Sequence, residues 1–246
     1  MDKNLEIVRT ALYHKKTKTL ILGDLHLGYE EHLSRKGIFV PKFQFNDIID
    51  LLEDILKKKK VENVVFNGDI KHEFGTITET EWRDIIKLFD FFIKRDIKII
   101  IVQGNHDPII KPIAEKRGIS IFKEYVIGNI LIIHGDFIPK DIEKYAGKNN
   151  ISKKCIKTII IGHEHPAISL KENERIERFK CFLIGKWKGI DLIIMPSVNP
   201  LVEGTDILQE KMLSPFLKDV KLDEFDVYIC GEKTLYFGKI SDVKGL

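Results

Sequence analysis

The sequence predicts a layered α/β domain with mixed sheets. In the first half, short apolar runs alternate with amphipathic helical patterns, while from residue 119 the runs come in pairs joined by tight turns. No Pro/Ser-rich linker, low-complexity tract or internal repeat divides the chain. Alternation argues for parallel pairing, because parallel strands need a crossover that a helix supplies; paired runs with two-residue turns argue for hairpins. A length of 246 residues, 43% of them hydrophobic, suits one domain spanning 1–246 with a sizeable core.

In chain order, "KTLILGDLHLG" reads as a strand entering a loop, and "YEEHLSRKGIFVPK" continues as loop. In that loop Arg35 and Lys36 are expected to be solvated, with a phosphate backbone as the alternative contact. "NDIIDLLEDILKKKK" is a helix with its apolar stripe at Ile48, Ile49, Leu52, Ile55 and Leu56. Its acids come first and its lysines last, as the helix dipole favours, so Lys57 to Lys60 reads as a solvated helix end rather than a nucleic-acid patch. "VVFNGD" is a strand. "TETEWRDIIKLFDFFIKRD" is a helix opened by a capping box of Thr78 and Glu81, and "IKIIIVQGNHD" is the next strand. Beyond residue 119, "ISIFKEYVIGNILIIHGD" turns at Gly128-Asn129, and "CFLIGKWKGIDLIIMPS" and "VYICGEKTLYFGKI" read as further hairpins, so the second half should be largely antiparallel.

Composition excludes several classes. Forty Lys and Arg against 37 Asp and Glu leave a net charge of +3, too small to point to a polyanion partner by itself. Cys155, Cys181 and Cys230 are isolated and odd in number, which fits a reduced, cytoplasmic compartment and no disulfide framework. "MDKNLEIVRT" lacks the apolar core of a signal peptide, and no run approaches the ~18 apolar residues of a membrane span, so a soluble protein without a membrane partner is expected.

The chemistry gathers at strand ends. "LILGDLHLG", "VVFNGD", "IIIVQGNHD", "LIIHGD" and "TIIIGHEH" each run from apolar residues into a polar cluster, and in open α/β sheets ligands bind at the carboxyl ends of strands. A lone histidine is ordinarily a satisfied or surface side chain. Here six of eight (His26, His72, His106, His134, His163, His165) lie in these clusters, with glycine beside most of them. In Asp24-x-His26 and His163-x-His165, two-residue spacing on extended backbone aims both side chains the same way, so each pair can serve one site. Carboxylate, imidazole and an amide oxygen without thiolate suit Mn²⁺, Fe²⁺ or Zn²⁺. Asp24, His26, Asp69, Asn105, His134, His163 and His165 are too many for one such ion. They become two sets of four if Asp69 bridges, as in two-metal hydrolases.

"GDLHLG", "NGD", "GNHD", "HGD" and "GHEH", all present and in order, resemble the calcineurin-like metallophosphoesterase superfamily. The resemblance implies a two-layered mixed β-sandwich flanked by helices. It also implies two divalent metal ions, manganese first, with Fe²⁺, Zn²⁺ or Ni²⁺ as alternatives. One is held by Asp24, His26, Asp69 and His165, the other by Asp69, Asn105, His134 and His163, with a bridging hydroxide as nucleophile. His106 matches the family's catalytic histidine. Where phosphoprotein phosphatases have a second Asp three residues after the bridging one, this chain has His72 in "GDIKH". In that it is similar to the nuclease branch: SbcD-like nucleases and bacterial DNA-ligase-associated metallophosphoesterases. "RKGIFVP", "GHEHP", "KCFLIG" and "MPSVNPLVEG" extend the likeness over roughly residues 19–205. Archaeal SbcD-related phosphoesterases of about this length resemble it too. Unlike SbcD, the chain leaves no room after the core for a DNA-capping domain, so duplex-end processing with an ATPase is not expected.

The expectation is a phosphodiesterase acting on nucleic acid or nucleotides, with DNA-repair partners. A small-molecule phosphomonoesterase is the alternative, and a non-catalytic scaffold is disfavoured by the intact ligands. His106 and His72 are the cluster histidines outside the ligand set, candidates to protonate the leaving oxygen; the alternative for His72 is to orient His106. Asp107 and Asp136 stand beside ligands and are candidates to orient them, with a turn role before Pro108 as the alternative for Asp107.

Overall fold

The computed structural model describes residues 2–140, 142, 156–172 and 175–244; Cys155 lies outside them. Among these residues there are two mixed sheets. The first is ordered β1 (Leu5–Val8), β2 (Ala11–His14), β3 (Thr19–Gly23), β4 (Asn63–Asn67), β5 (Lys98–Val102) and β6 (Ser120–Phe122), antiparallel up to β3 and parallel from there on. The second contains β7 (Glu124–Ile127), β8 (Ile130–Ile133), β9 (Thr158–Ile161), β10 (Pro166–Glu172), β11 (Arg175–Trp187), β12 (Ile190–Ile194) and β13 (Thr205–Asp206). Its order is β13-β10-β11-β12-β9-β8-β7, with β14 (Asp226–Ile229) and β15 (Leu235–Lys239) attached through β11.

Alternation along each strand separates three hydrophobic layers, because successive side chains leave opposite faces of a sheet. Ile21, Val65 and Ile100 point inward and meet Ile132, Ile160 and Ile193 of the second sheet. Their neighbours Leu20, Leu22, Val64, Phe66, Ile99 and Ile101 point outward to helices. On the far side of the second sheet Leu131, Ile133, Ile159, Ile161 and Ile194 pack under Phe216, Phe225, Ile240 and Val243. This is the layered α/β domain with mixed sheets that the sequence predicts, in the form of the two-layered β-sandwich flanked by helices that the resemblance implies.

Helix α2 (Gln44–Lys58) buries Ile48, Leu52 and Ile55, the i, i+4, i+7 face. Among its closing lysines, Lys57, Lys58 and Lys60 are exposed, while Lys59 is partly buried against Glu6. Helix α3 (Glu79–Ile93) carries the predicted capping box: Glu81 N–H donates to Thr78 Oγ1 at 3.1 Å and Thr78 N–H to Glu81 Oε2 at 2.8 Å. A short α4 spans Lys111–Glu115.

One expectation needs correction. The segment after "DLHLG" opens with a helix, α1 (Tyr29–Arg35), rather than loop; Arg35 there pairs with Glu31 and Glu73. The second sheet is largely antiparallel, as expected, with three parallel pairings, β8 with β9, β12 with β9 and β10 with β13, alongside its hairpins. At the N-terminus, β1 and β2 add a further antiparallel hairpin.

Candidate active site

The loops leaving β3, β4, β5, β8 and β9 meet at one end of the sandwich. Backbone bonds join the first two: His26 N–H donates to Asp69 O, Leu27 N–H to Ile70 O and His72 N–H to Leu27 O. Asp107, fully buried, accepts from Gly104 N–H at 3.0 Å and Ile70 N–H at 2.9 Å, so it fastens the β5 loop to the β4 loop rather than touching a ligand. Burial and the nearby Asp69 charge raise its carboxyl to about 6.

Asp24, His26, Asp69, His163 and His165 all have φ between 44 and 65°. Left-handed backbone is uncommon outside glycine, and strain of this kind collects at functional sites. This corrects the extended geometry expected of the two x-spaced pairs. Asp24 and His26 do share a site, but His163 and His165 diverge: among the described residues the close groups are Asp24, His26 and His165; Asp69, His134 and His163; and, beside them, His26, His72 and His106. Glycine is required where packing is closest. At Gly104 a Cβ would run into the Asp69 carboxylate, and at Gly68 into the His134 ring.

Distances bring all seven candidate ligands together. His165 Nε2 lies 3.1 Å from Asp24 Oδ1 and 3.3 Å from His26 Nε2. His134 Nε2 lies 3.3 Å from Asp69 Oδ2 and 3.0 Å from Asn105 Oδ1. Asp69 Oδ2 also has His106 Nε2 at 3.7 Å and His26 Nε2 at 3.9 Å, while its Oδ1 accepts from His106 N–H at 2.9 Å. His163 N–H donates to the Asp24 carboxylate at 3.2 Å.

The charge distribution is lopsided. Burial would lower His134, but its hydrogen bond to Asp69 and the charges of Asp69 and Asp24 lift it to about 10. Burial would raise Asp69, yet His134, His26 and His106 together bring it well below the usual carboxylate range. His26 is pushed down chiefly by burial, as are His106 and His163.

His72 and His106 stand beside these groups. Their rings lie 5.7 Å apart and nearly parallel, and each meets His26 edge-on. His106 Nδ1 is tied to the carbonyl of His72. Burial first, then the charges of His32 and His106, depress His72 to about 4. Asp136 is half-buried, close enough for its charge to act on His163, and its buried Oδ1 has no hydrogen-bond partner among the described residues.

Several supporting residues escape sequence reading. Glu81 is fully buried and accepts from His72 N–H at 3.0 Å and Glu73 N–H at 2.7 Å, beyond its capping role. His32 and Tyr29, both on α1, pack edge-on against His72 at 4.5 and 4.7 Å. Ser197 Oγ donates to Asp24 O, and Gln44 and Asn199 amides donate to His26 O. Glu164, lying between two candidate ligands, turns away and accepts from Leu213 and Ser214 N–H. For Ser197 and Asn199 the signal is present, in "MPSVNP" at a strand end. For the others no local spacing encodes the partner.

The chain belongs to the calcineurin-like phosphoesterase family, whose model it matches over residues 17–231. Membership implies a hydrolase of phosphoesters that works with divalent metal ions. Among solved structures, it is similar to Pseudomonas putida nuclease MPE, with 16% identity over 95% of this chain and 94% of that one and a TM-score of 0.65. Weaker likenesses are Vacuolar Protein Sorting 29 from Cryptosporidium parvum (15% identity, 90% and 97% covered, TM-score 0.39) and Yfce, a phosphoesterase from E. coli (12%, 85% and 86%, 0.38). At these identities the likeness to MPE speaks for the fold. Comparison with curated proteins finds no match. No helix among the described residues is long and apolar enough to cross a membrane.

Proposed function

We propose that the chain hydrolyses phosphodiester bonds in nucleic acid, in a reduced, cytoplasmic setting and with manganese as the preferred metal. The observation that carries this is the convergence of two ligand groups on the Asp69 carboxylate with two further histidines, His72 and His106, beside it. Asp24, His26, Asp69 and His165 would hold one divalent cation; Asp69, Asn105, His134 and His163 would hold the other. The donor set fits. Imidazole nitrogens, carboxylates and an amide oxygen suit divalent cations, and at His134 buried carboxylates draw a proton onto a fully buried ring, so cationic charge is favoured there. Such a pair of ions supplies charge screening of the phosphodiester and a lowered pKa for the attacking water.

The remaining work falls to side chains. With Nδ1 tied to the His72 carbonyl, His106 directs Nε2 toward Asp69 and the reacting phosphate. His72 is neutral in the free protein, and the negative charge of a bound phosphodiester favours its protonated form. Proton delivery to an alkoxide leaving group by such a residue is typically worth ~10²–10⁴ in rate. The nuclease named in the MPE structure shares the fold, which agrees with this reading.

The test is hydrolysis by Mn²⁺-loaded protein of bis-p-nitrophenyl phosphate, p-nitrophenyl phosphate, and single- and double-stranded DNA, with bound metal measured alongside. Diester and DNA turnover lost on chelation and restored by Mn²⁺ is the expected result. Preference for the monoester would replace this reading with a phosphomonoesterase, and protein indifferent to chelation would point to a scaffold.

A further inference from the structure

Phe74 is 61% exposed, although a large aromatic ring is costly to leave in water. It follows His72 by two residues, and one face of its ring lies on the His106 imidazole, with centroids 3.6 Å apart and planes tilted by 35°. The backbone up to it is anchored. Glu73 N–H and His72 N–H both donate to buried Glu81, and the fully buried Lys71 ammonium donates to the Glu73 carbonyl. The ring is therefore held in place by its support and left uncovered by its surroundings. One imidazole separates it from the Asp69 carboxylate at the centre of the site.

We infer that Phe74 is a stacking platform for a nucleobase on the leaving-group side of the scissile phosphodiester, and that the substrate is single-stranded nucleic acid. The inference rests on the nucleic-acid reading above and specifies its substrate class. A planar open face, unlike a groove, suits a flat aromatic partner, and every base has a π-face to offer. Bases inside a duplex have both faces occupied by their neighbours; unpaired bases do not. The position beside His106 and His72 assigns the stacked base to the nucleoside that departs.

The experiment compares kcat/KM for an oligothymidylate and for a strand of the same length in which tetrahydrofuran replaces each base, using wild-type, Phe74→Ala, Phe74→Leu and Phe74→Trp proteins loaded with Mn²⁺. Phe74→Ala should lose more on the base-bearing strand than on the abasic one, by a ratio of about 5 to 150, the equivalent of ~1–3 kcal/mol per stacked base. Phe74→Trp should restore that ratio and Phe74→Leu should not, whereas a ring that merely covers His106 would be replaced as well by leucine. Equal losses on both strands would overturn the stacking role and leave the nucleic-acid reading standing. Wild-type protein that cleaves neither strand would overturn both.

Discussion

Asp69 Oδ2 has three imidazole Nε2 atoms around it, at 3.3 Å (His134), 3.7 Å (His106) and 3.9 Å (His26), and among the described residues no other carboxylate of the site is so placed. Replacing Asp69 with Asn removes the charge that both groups share. Loss of residues that merely support metal ligands typically costs 10–100-fold, so Asp69→Asn should lower activity by more than about 10²-fold and reduce metal content at both positions. Near-normal turnover with two metals bound would rule out the bridging role. His72→Ala should act differently, keeping both metals but slowing DNA cleavage by ~10²–10⁴ while bis-p-nitrophenyl phosphate, whose leaving group needs little protonation, suffers much less. Equal losses on the two substrates would favour His72 as a group that only positions His106. At this scale the sequence is readable where chemistry overrides packing: an apolar strand that ends in Asp or His has a reason to do so. His32 carries no such mark. It lies on a helix without a buried residue, and its partner Glu73 is 41 positions away.

The loop that carries His72 and Phe74 is held by an element it does not belong to. Glu81 caps α3 through Thr78 and, with its other oxygen, gathers the N–H groups of His72 and Glu73. Glu81→Ala leaves these donors unpaired and should cost at least ~2–3 kcal/mol, about 4–12 °C in Tm for a chain of this size. Because the His72 backbone is released, kcat on DNA should fall as well. Thr78→Ala removes only the capping hydroxyl, so Tm should drop by an amount equivalent to ~1 kcal/mol with kcat unchanged. Thermal melting and single-turnover rates on both variants check this, and a kcat loss shared equally by Thr78→Ala would mean that helix fraying, not loop anchoring, is responsible. The capping box is legible because it is a spacing of three; the second use of Glu81 is invisible because nothing local encodes it. Helix α1 escapes for a related reason. Seven residues with no buried face and Gly28 at the N-cap give no periodicity to read.

Across the whole molecule the two sheets divide the site between them: Asp24, His26, Asp69 and Asn105 leave the first, and His134, His163 and His165 the second. The hairpins of the second sheet are legible from their turns, but its parallel pairings join runs separated by long stretches and have no local signature. Lys180 on β11 ties the halves at the site end. Its ammonium donates to the carbonyls of Ser197 and Asn199, the residues whose side chains hold the Asp24 and His26 carbonyls. Burial, opposed weakly by the charges of Cys230 and Asp24, lowers Lys180 from 10.5 to about 8. Between pH ~8 and ~10.5 the unfolded chain therefore binds more protons at this residue than the folded one, so its contribution to stability rises with pH across that window. The full effect is at most roughly 3 kcal/mol, since each tenfold change in proton affinity is worth about 1.4 kcal/mol. Tyrosines and other lysines titrate in the same range, so the measurement is the difference between wild type and Lys180→Met in urea unfolding at a series of pH values. The wild type should gain on the variant as pH climbs from 8 to 10.5. Parallel curves would show that the ammonium is solvated in the folded protein and that the polar seam between the sheets is wetter than its hydrogen bonds suggest.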